Sequence, residues 1–402
     1  MIESIAPTKD VLRTPAEPDA IGRNRPARRA YGLDEIALAP ASATVDPSDV
    51  DLAWSVGRYR VALPFIASAM DSVVDVHSAT ALSRLGAVAV LNLEGLQTRY
   101  DDPAAVLVEL TAASGEDVVP LMQRCYQRPV RDELIAARIR ALVDAGALAA
   151  VSMTPGSAAR LVPAAEQAGA HILVIQSTVV TDAHSSSRGR SVSIREVIAQ
   201  ANVPVMVGNC VGFDAAAALL DAGAAGLFVG VGPGAACTSR RVLGVGVPQA
   251  TAIADVAAAR DAFHTRSGRY IPIVADGGIA TGGDVAKAIA CGADAVMLGS
   301  ALARASEAPG RGYHWGMATP HAALPRGTRI KVGTTGTLEQ ILLGPAQTDD
   351  GTQNLAEALR TAMGMCGVRT IQEMHAVEIL IAPALATEGK ALQFSQRVGQ
   401  GR

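Results

Sequence analysis

Eight short apolar runs, separated by stretches rich in alanine, constrain the fold more than any other feature of the sequence. The runs lack polar alternation, which is typical of parallel strands buried on both faces. The stretches between them have helical patterns, as in residues 132–142. Eight strand–helix repeats predict one (β/α)8 TIM barrel, an α/β fold, and a doubly wound sheet is the alternative, for which an early GxGxxG fingerprint is missing. The predicted strands are residues 64–70, 87–92, 148–153, 171–177, 204–209, 226–229, 271–276 and 295–300.

Composition and charge exclude several classes of protein. With 49% hydrophobic residues and a net charge of -3, the chain has no basic excess that would favour nucleic acid or an anionic membrane. We find no run of about 18 apolar residues and no apolar region typical of a secretory signal. The five cysteines form neither a CxxC pair nor a zinc spacing, and we expect a cytoplasmic protein.

The ends of the chain and its long connections predict the domain organisation. Residues 1–27, rich in proline and charge, are predicted to be a mobile tail, and residues 28–390 the barrel domain, followed by a tail at 391–402. A connection rich in glycine and threonine, residues 311–355, predicts a short functional flap. The surplus apolar run 118–122 is assigned to the connection between the second and third strands, and 377–383 to a terminal strand or extension.

Chemistry is expected at the carboxyl ends of the strands, which form the active-site face of this barrel. Cys237 ends the glycine-rich run 230–240, just after the sixth predicted strand. It is interpreted as a nucleophile or part of an ion site, and a small buried hydrophobe is the alternative. Glycines after the seventh and eighth strands predict a phosphate cradle at helix N-termini. Asp276 beside them suits ribose hydroxyls or, equally, a helix N-cap.

These segments together resemble the IMP dehydrogenase / GMP reductase family. The resemblance runs from about residue 22 to 390 and is closest to a dehydrogenase-related branch without the regulatory CBS pair, because residues 93–147 are too few to hold that pair. Its motifs are Leu33–Pro40, Ile66–Asp71, the Cys237 loop, Gly246–Thr251, Val274–Ile279, Val296–Ser300 and Glu307–Gly310.

The resemblance implies an NAD-dependent oxidation of IMP to XMP. The Cys237 thiolate would add to the purine C2, hydride would leave to NAD, and a flap arginine would help to hydrolyse the thioimidate. It also implies a homotetramer and a potassium ion held by the carbonyls of Gly232, Gly234 and Cys237. The implied catalytic residues are Cys237, Ser239, Arg326 and Arg329. The implied nucleotide contacts are Ser68, Met70, Ala235, Asp276, Gly277, Gly278, Gly299, Ser300, His314, Gly316, Met317 and Thr334. The implied cofactor contacts are Gln176, Ser177, Thr178, Asn209, Gly230 and Gly232.

Several positions depart from the family pattern. Gln176 stands where most dehydrogenases have aspartate, and Phe228 where both enzymes have arginine. His314 replaces a tyrosine, and Thr334 replaces the base-contacting glutamine. The flap lacks the Arg-Tyr pair of the dehydrogenases, which leaves Arg326 and Arg329 as candidate bases or as solvated charges.

Lys390 occupies a position where its ammonium could replace the potassium ion of a neighbouring subunit. An NADPH-dependent GMP reductase is the first alternative function. A purine-nucleotide-binding regulatory protein without turnover is the second.

Overall fold

The computed structural model describes residues 19–21, 25–182, 193–316, 329–383 and 390–396. The chain divides into a small unit, residues 1–30, and a large one, residues 31–402. Within the small unit, Asp19–Ala20 pairs with Pro26–Ala27 in antiparallel fashion. Within the described residues no helix is long and apolar enough to cross a membrane.

The large unit is built on a closed barrel of eight parallel strands. Each predicted strand is present, and β8 pairs with β1 to close the ring, so the doubly wound alternative is wrong. The barrel strands are β1 (Phe65–Ala67), β2 (Val88–Asn92), β3 (Ala150–Met153), β4 (Ile172–Gln176), β5 (Val205–Cys210), β6 (Gly226–Val229), β7 (Ile273–Asp276) and β8 (Ala295–Leu298).

Helices follow the strands, as the sequence predicts. The α-helices are α1 (Val76–Arg84), α2 (Pro103–Ala112), α3 (Val118–Gln127), α4 (Asp132–Asp144), α5 (Pro155–Gln167), α6 (Ile194–Gln200), α7 (Phe213–Asp221), α8 (Ser239–Leu243), α9 (Gln249–Ser267), α10 (Gly282–Ala290), α11 (Leu338–Leu342), α12 (Leu355–Met365), α13 (Ile371–Met374) and α14 (Ala391–Gln396). Short 3-10 turns lie at Leu33–Glu35, Pro47–Asp49, Leu96–Thr98, Gly115–Asp117 and Leu302–Arg304.

The absence of polar alternation in the strands is explained by two apolar layers. Successive residues of one strand point to opposite faces. In β2, Val88 and Val90 fill the barrel interior, whereas Ala89 and Leu91 pack outward against helices. Both faces are therefore buried. Each large side chain removed from water contributes about 1.5–3 kcal/mol to folding.

A β-hairpin contributes to the apolar core inside the barrel. Its strands, Trp54–Val56 and Tyr59–Val61, pair in antiparallel fashion just before β1. Trp54, Val56 and Val61 belong to the same buried cluster as the inward-facing barrel residues. The indole Nε1 of Trp54 donates to the carbonyl oxygen of Leu63 at 3.1 Å, which satisfies its one polar atom.

Two further strand pairs belong to the predicted long connections. Tyr313–His314 pairs with Ile330–Lys331 at the base of the predicted flap. Ile379–Ile381, within the predicted terminal strand, pairs with Ile36–Leu38. This gives the apolar C-terminal run a partner in its own chain, although its three side chains stay between 37% and 59% exposed. The run is therefore only partly accounted for by packing within one subunit.

Residues 96–127, between β2 and β3, form a helical insert made mainly of α2 and α3. The surplus apolar run 118–122 is the first turn of α3 rather than a strand. Its apolar face packs with α2 and with Trp315, which is 1% exposed, in a separate buried cluster. The insert thus has a core of its own and shares that core with the start of the predicted flap.

Candidate active site

One cavity of about 640 Å³ opens where the barrel strands end. Active sites of this fold lie on that face because the loops after the strands converge there. The predicted site residues that line the cavity are Ser68, Met70, Gln176, Ser177, Thr178, Asn209, Gly230, Gly232, Gly234, Ala235, Cys237, Ser239, Asp276, Gly277, Gly278, Gly299, Ser300, His314, Gly316 and Arg329.

Cys237 presents an exposed thiol to this cavity. Its backbone N–H donates to the carbonyl oxygen of Gly234 at 2.9 Å, closing a tight turn, and Ser239 Oγ lies 3.3 Å from its Sγ. The other four cysteines are buried, and burial raises the pKa of Cys210 and of Cys291 to about 12. The interpretation of Cys237 as a small buried hydrophobe is therefore wrong, and it is the cysteine with access to a ligand.

The Cys237 loop favours glycine at two positions, and at one of them it approaches the backbone of the seventh strand. Gly230 has a φ of +148°, and a Cβ there would lie 2.1 Å from the carbonyl oxygen of Asp276. Gly232 has a φ of +89° and packs against the side chain of Arg240. The side chain of Gln249 links the ends of β6 and β7, because its Nε2 donates to the carbonyl oxygens of Val229 and Asp276.

Asp276 is at the centre of a polar network in the cavity. Its Oδ2 accepts hydrogen bonds from Asn209 Nδ2 at 2.7 Å and from Gln176 Nε2 at 3.0 Å. Part of its surface stays open to the cavity, yet it is deep enough that desolvation raises its pKa to about 6, against those two hydrogen bonds. Asp276 is not a helix cap, because Thr281 caps α10.

The departures at Gln176 and Phe228 make this network uncharged apart from Asp276. Phe228 is fully buried among the apolar residues inside the barrel. Gln176 donates to the side-chain oxygens of Asn209 and Asp276. A buried arginine at 228 would require a carboxylate partner. With phenylalanine at 228, a neutral amide at 176 avoids a second unpaired carboxylate beside Asp276.

After β7, the predicted phosphate cradle consists of loop backbone rather than of a helix N-terminus. Gly277 and Gly278 have φ values of +90° and +77°, so the turn after β7 is left-handed. The start of α10 is not available, because Thr281 Oγ1 accepts from the N–H of Asp284, and Asp284 Oδ2 accepts from the N–H of Thr281. This part of the prediction is corrected, since the helix satisfies its first amides internally.

His314 completes the cradle on the side of the flap. Its Nε2 lies 2.9 Å from Ser300 Oγ, and its buried Nδ1 has no hydrogen-bond partner. Burial, with the positive charge of Arg304, lowers the pKa of His314. The lowered pKa favours the neutral imidazole at pH 7, so this side chain adds no positive charge to the cavity.

Arg329 lies at the cavity, but its guanidinium is engaged elsewhere. Nη1 and Nη2 donate to the carbonyl oxygens of Leu110 and Ala113 at the end of α2, and the group stacks on Tyr313 at 4.6 Å. Helix C-terminal carbonyls favour the cationic form of a side chain. In this arrangement Arg329 anchors the insert, which does not suit a general base.

Four predicted residues are not at the cavity or cannot be placed. Thr334 is exposed and does not line the cavity, because the N–H groups of Gly333 and Thr335 on either side bond to the carbonyls of Gly312 and Arg304. Lys390 is exposed and is not among the lining residues. Met317 and Arg326 lie outside the described residues.

The proposed potassium ligands are three carbonyls of one loop. That of Gly234 already accepts the N–H of Cys237. Three oxygens from one loop are fewer than the shell that carbonyl sites build around potassium, so these residues fit the ion only with ligands from elsewhere. In the described part of the chain no group of three or more His, Cys, Asp or Glu side chains could hold a metal.

Sequence reasoning missed the wall that the insert contributes. Gly115, Val118 and Val119 line the cavity, together with Val242 and Leu243 of α8. Both α8 side chains are more than half exposed. The surplus apolar run at 118–122 was the one sequence signal of this wall.

Comparison with known proteins gives a consistent result. The model of the IMP dehydrogenase / GMP reductase domain matches residues 30–391. An uncharacterised oxidoreductase of Mycobacterium leprae is 38% identical over 371 residues, which cover 90% of this chain and 99% of that protein. An inosine-5'-monophosphate dehydrogenase of Haemophilus influenzae is 44% identical over 191 residues, 47% of this chain and 35% of that one.

A solved structure has the same architecture. The crystal structure of an IMP dehydrogenase/GMP reductase-like protein from Corynebacterium glutamicum superposes with a TM-score of 0.86 at 35% identity, covering 91% of this chain and 98% of that chain. Similarity above 30% identity over nearly the full length is thus to proteins described as an uncharacterised oxidoreductase and as IMP dehydrogenase/GMP reductase-like. The named dehydrogenases match either over about half of the chain, as that of Haemophilus does, or at 27% identity over 89% of it, as that of Methanocaldococcus jannaschii does.

Proposed function

Since this chain is an oxidoreductase that belongs to the IMP dehydrogenase / GMP reductase family, we propose that it oxidises IMP to XMP with NAD. The observation that carries the proposal is the exposed Cys237 thiol in one cavity with the glycine turns after β7 and β8. A phosphate bound at Gly278 and Ser300 would direct the purine of a nucleotide towards the Cys237 loop.

The covalent step needs the thiolate of Cys237. Its sulfur forms a bond to the trigonal C2 of the purine, which becomes tetrahedral, and the C2–H bond then breaks with its electron pair as hydride. NAD, when bound, accepts that hydride. Ser239 Oγ, 3.3 Å from Sγ, is placed to donate a hydrogen bond to the Cys237 thiolate, both before it attacks C2 and when hydrolysis releases it.

The remaining residues of the cavity suit the uncharged groups of both molecules. Asp276 can accept hydrogen bonds from ribose hydroxyls, and Ser300 Oγ, 2.9 Å from His314 Nε2, is available to the phosphate. Ser177, Thr178 and Asn209 offer neutral polar groups to the cofactor. The one arginine or lysine among the described lining residues is Arg329, which is engaged with α2, and this favours NAD over a cofactor with an additional phosphate.

Hydrolysis returns the cysteine. Water adds to C2 of the thioimidate, a proton leaves the water, and the C–S bond breaks to release XMP and the thiolate. Arg326 is the proposed base for that proton. Arg329 is the second candidate, because the guanidinium of Arg329 would first have to leave the carbonyls of α2. The same observation favours the GMP reductase as an alternative, since expulsion of ammonia from C2 needs no water-activating arginine.

A paired assay tests the proposal and its alternatives. Purified protein is given IMP with NAD, and separately GMP with NADPH, and the nicotinamide absorbance is followed. We expect NADH to form only in the first mixture. Oxidation of NADPH in the second would identify the reductase, and tight nucleotide binding without turnover in either would identify the regulatory protein. Cys291→Ala, which removes a buried thiol outside the cavity, is the matched control for Cys237→Ala.

A further inference from the structure

A buried chain of hydrogen bonds joins two walls of the cavity through the helical insert. The indole Nε1 of Trp315 donates to the hydroxyl of Tyr126 at 2.9 Å, and that hydroxyl donates to Asp71 Oδ2 at 2.7 Å. One hydroxyl thus accepts from one wall and donates to the other. All three side chains are at most 5% exposed, so the chain is shielded from competing water.

Each end of this chain is next to residues of the nucleotide side. Asp71 follows Met70, which lines the cavity in the turn after β1. Trp315 lies between His314 and Gly316, which both line it. Tyr126 itself does not line the cavity, so its hydroxyl can reach the nucleotide only through these neighbours.

The packing leaves Asp71 little freedom. A Cβ on Gly95 would lie 2.2 Å from its carboxylate, so the loop after β2 closes directly over it. Burial raises the pKa of Asp71, against the hydrogen bond from Tyr126, the backbone amides of Leu96 and Gln97, and the charge of Arg99. A buried carboxyl of this kind is costly unless its hydrogen bonds are made.

A second contact ties the insert to the chain beyond Trp315. The guanidinium of Arg329 binds the carbonyls of Leu110 and Ala113, where α2 ends, and stacks on Tyr313. The insert therefore holds Trp315 through α3 and Arg329 through α2. The apolar cluster of the insert includes Trp315 and packs against Tyr313.

We propose that Tyr126 is a positioning residue of the nucleotide site, fixing the Met70 turn and the His314–Gly316 segment at a set separation. The identity of the ligand as a purine nucleotide rests on the proposed function. Two segments that contact one nucleotide from opposite sides lose conformational entropy when it binds. This loss weakens binding less if the segments are already fixed in the free protein. The insert supplies that hold through the contacts of Tyr126 and Arg329.

The test is Tyr126→Phe, which keeps the ring in the core of the insert and removes only the hydroxyl. We expect the KM for the nucleotide to rise about tenfold, the effect of leaving buried polar groups unpaired, with kcat changed less than about twofold. Tyr100→Phe is the matched control, because its hydroxyl bonds to the carbonyl of Cys125 within the same insert and reaches neither wall. Equal KM values for both variants would overturn the proposal.

A double-mutant cycle separates coupling from general weakening. If Tyr126 and Trp315 act as one chain, Tyr126→Phe combined with Trp315→Phe should raise KM much less than the product of the single effects. Effects that multiply would show that the two residues act independently and would refute the chain.

A third readout does not depend on activity. The chain has two tryptophans, so in a Trp54→Phe background the emission reports Trp315 alone. Tyr126→Phe should shift this emission and increase its quenching by acrylamide, whereas Tyr100→Phe should not. Unchanged emission would refute the proposal even if the protein oxidised IMP. Changed emission in a protein that bound neither IMP nor GMP would support the link between the walls and refute the proposed function instead.

Discussion

The two sides of the cavity are built in different ways. The phosphate side, Asp276–Gly278 with Gly299 and Ser300, follows directly from the ends of β7 and β8. The insert side, Val118, Val119, Val242, Leu243 and Arg329, is assembled from three segments that are far apart in sequence. The first depends on the ends of barrel strands and the second on packing between helices and a distant segment, which teaches that the two sides can be disrupted separately.

The largest effect is expected at Cys237. Cys237→Ala should reduce turnover by about 10⁴-fold or more, because the covalent intermediate cannot form. Nucleotide binding by calorimetry should persist, since the phosphate side comes from other strands. Near-normal turnover would refute the covalent mechanism, and loss of binding together with activity would show that the two sides are not separable.

The hydrolytic base is the next test of the comparison. Arg326→Gln should spare the hydride step and slow hydrolysis about 10²- to 10³-fold, so that a single turnover gives a burst of NADH followed by a stalled adduct on Cys237. Arginine has a free pKa above about 12 and needs a closed site to act as a base.

The same experiment on Arg329→Gln distinguishes the two arginines. We expect Arg329→Gln to lower the overall activity without a stalled adduct, because the Arg329 guanidinium anchors α2. A stall in that variant, or the loss of the burst in Arg326→Gln, would contradict the assignment to Arg326.

A pH profile addresses the phosphate side. In the proposed complex the ionised carboxylate of Asp276 accepts hydrogen bonds from both ribose hydroxyls and loses part of this capacity on protonation, and its pKa is raised to about 6. The KM for the nucleotide should therefore rise as the pH falls from 7 to 5, by about tenfold. Asp276→Asn should have a high KM that does not change over that range. A wild-type KM that stays constant between pH 7 and 5 would refute the contact.

The smallest effect concerns Lys390 and assembly. We propose a homotetramer in which Lys390 of one subunit replaces potassium at the Cys237 loop of the next, so potassium should change wild-type activity less than about twofold. Lys390→Ala should lose activity about tenfold and recover part of it with potassium. Strict potassium dependence of the wild type, or sedimentation as a fully active monomer, would contradict this proposal.

Much of the barrel and of the phosphate side could be predicted from the sequence. Seven of the eight barrel strands lie within their predicted runs, β5 extends one residue beyond its run, and the glycines at 277, 278 and 299 line the cavity. Local chemistry is sufficient there, because apolar runs and glycine turns carry their signal within a few residues. Thr334 was misplaced for the opposite reason, since bonds to the distant Gly312 and Arg304 hold its neighbours away from the site.

The sequence by itself determined the repeat that closes the barrel, the family, and the thiol on a glycine-rich loop. Only the tertiary structure decided that Asp276 shares its carboxylate with Gln176 and Asn209, and that Arg329 holds α2. Only the fold, too, brings Tyr126 between Trp315 and Asp71, which are 244 residues apart in the chain. Backbone patterns are encoded locally, whereas partners of buried polar groups are chosen by whichever distant segments the fold packs beside them.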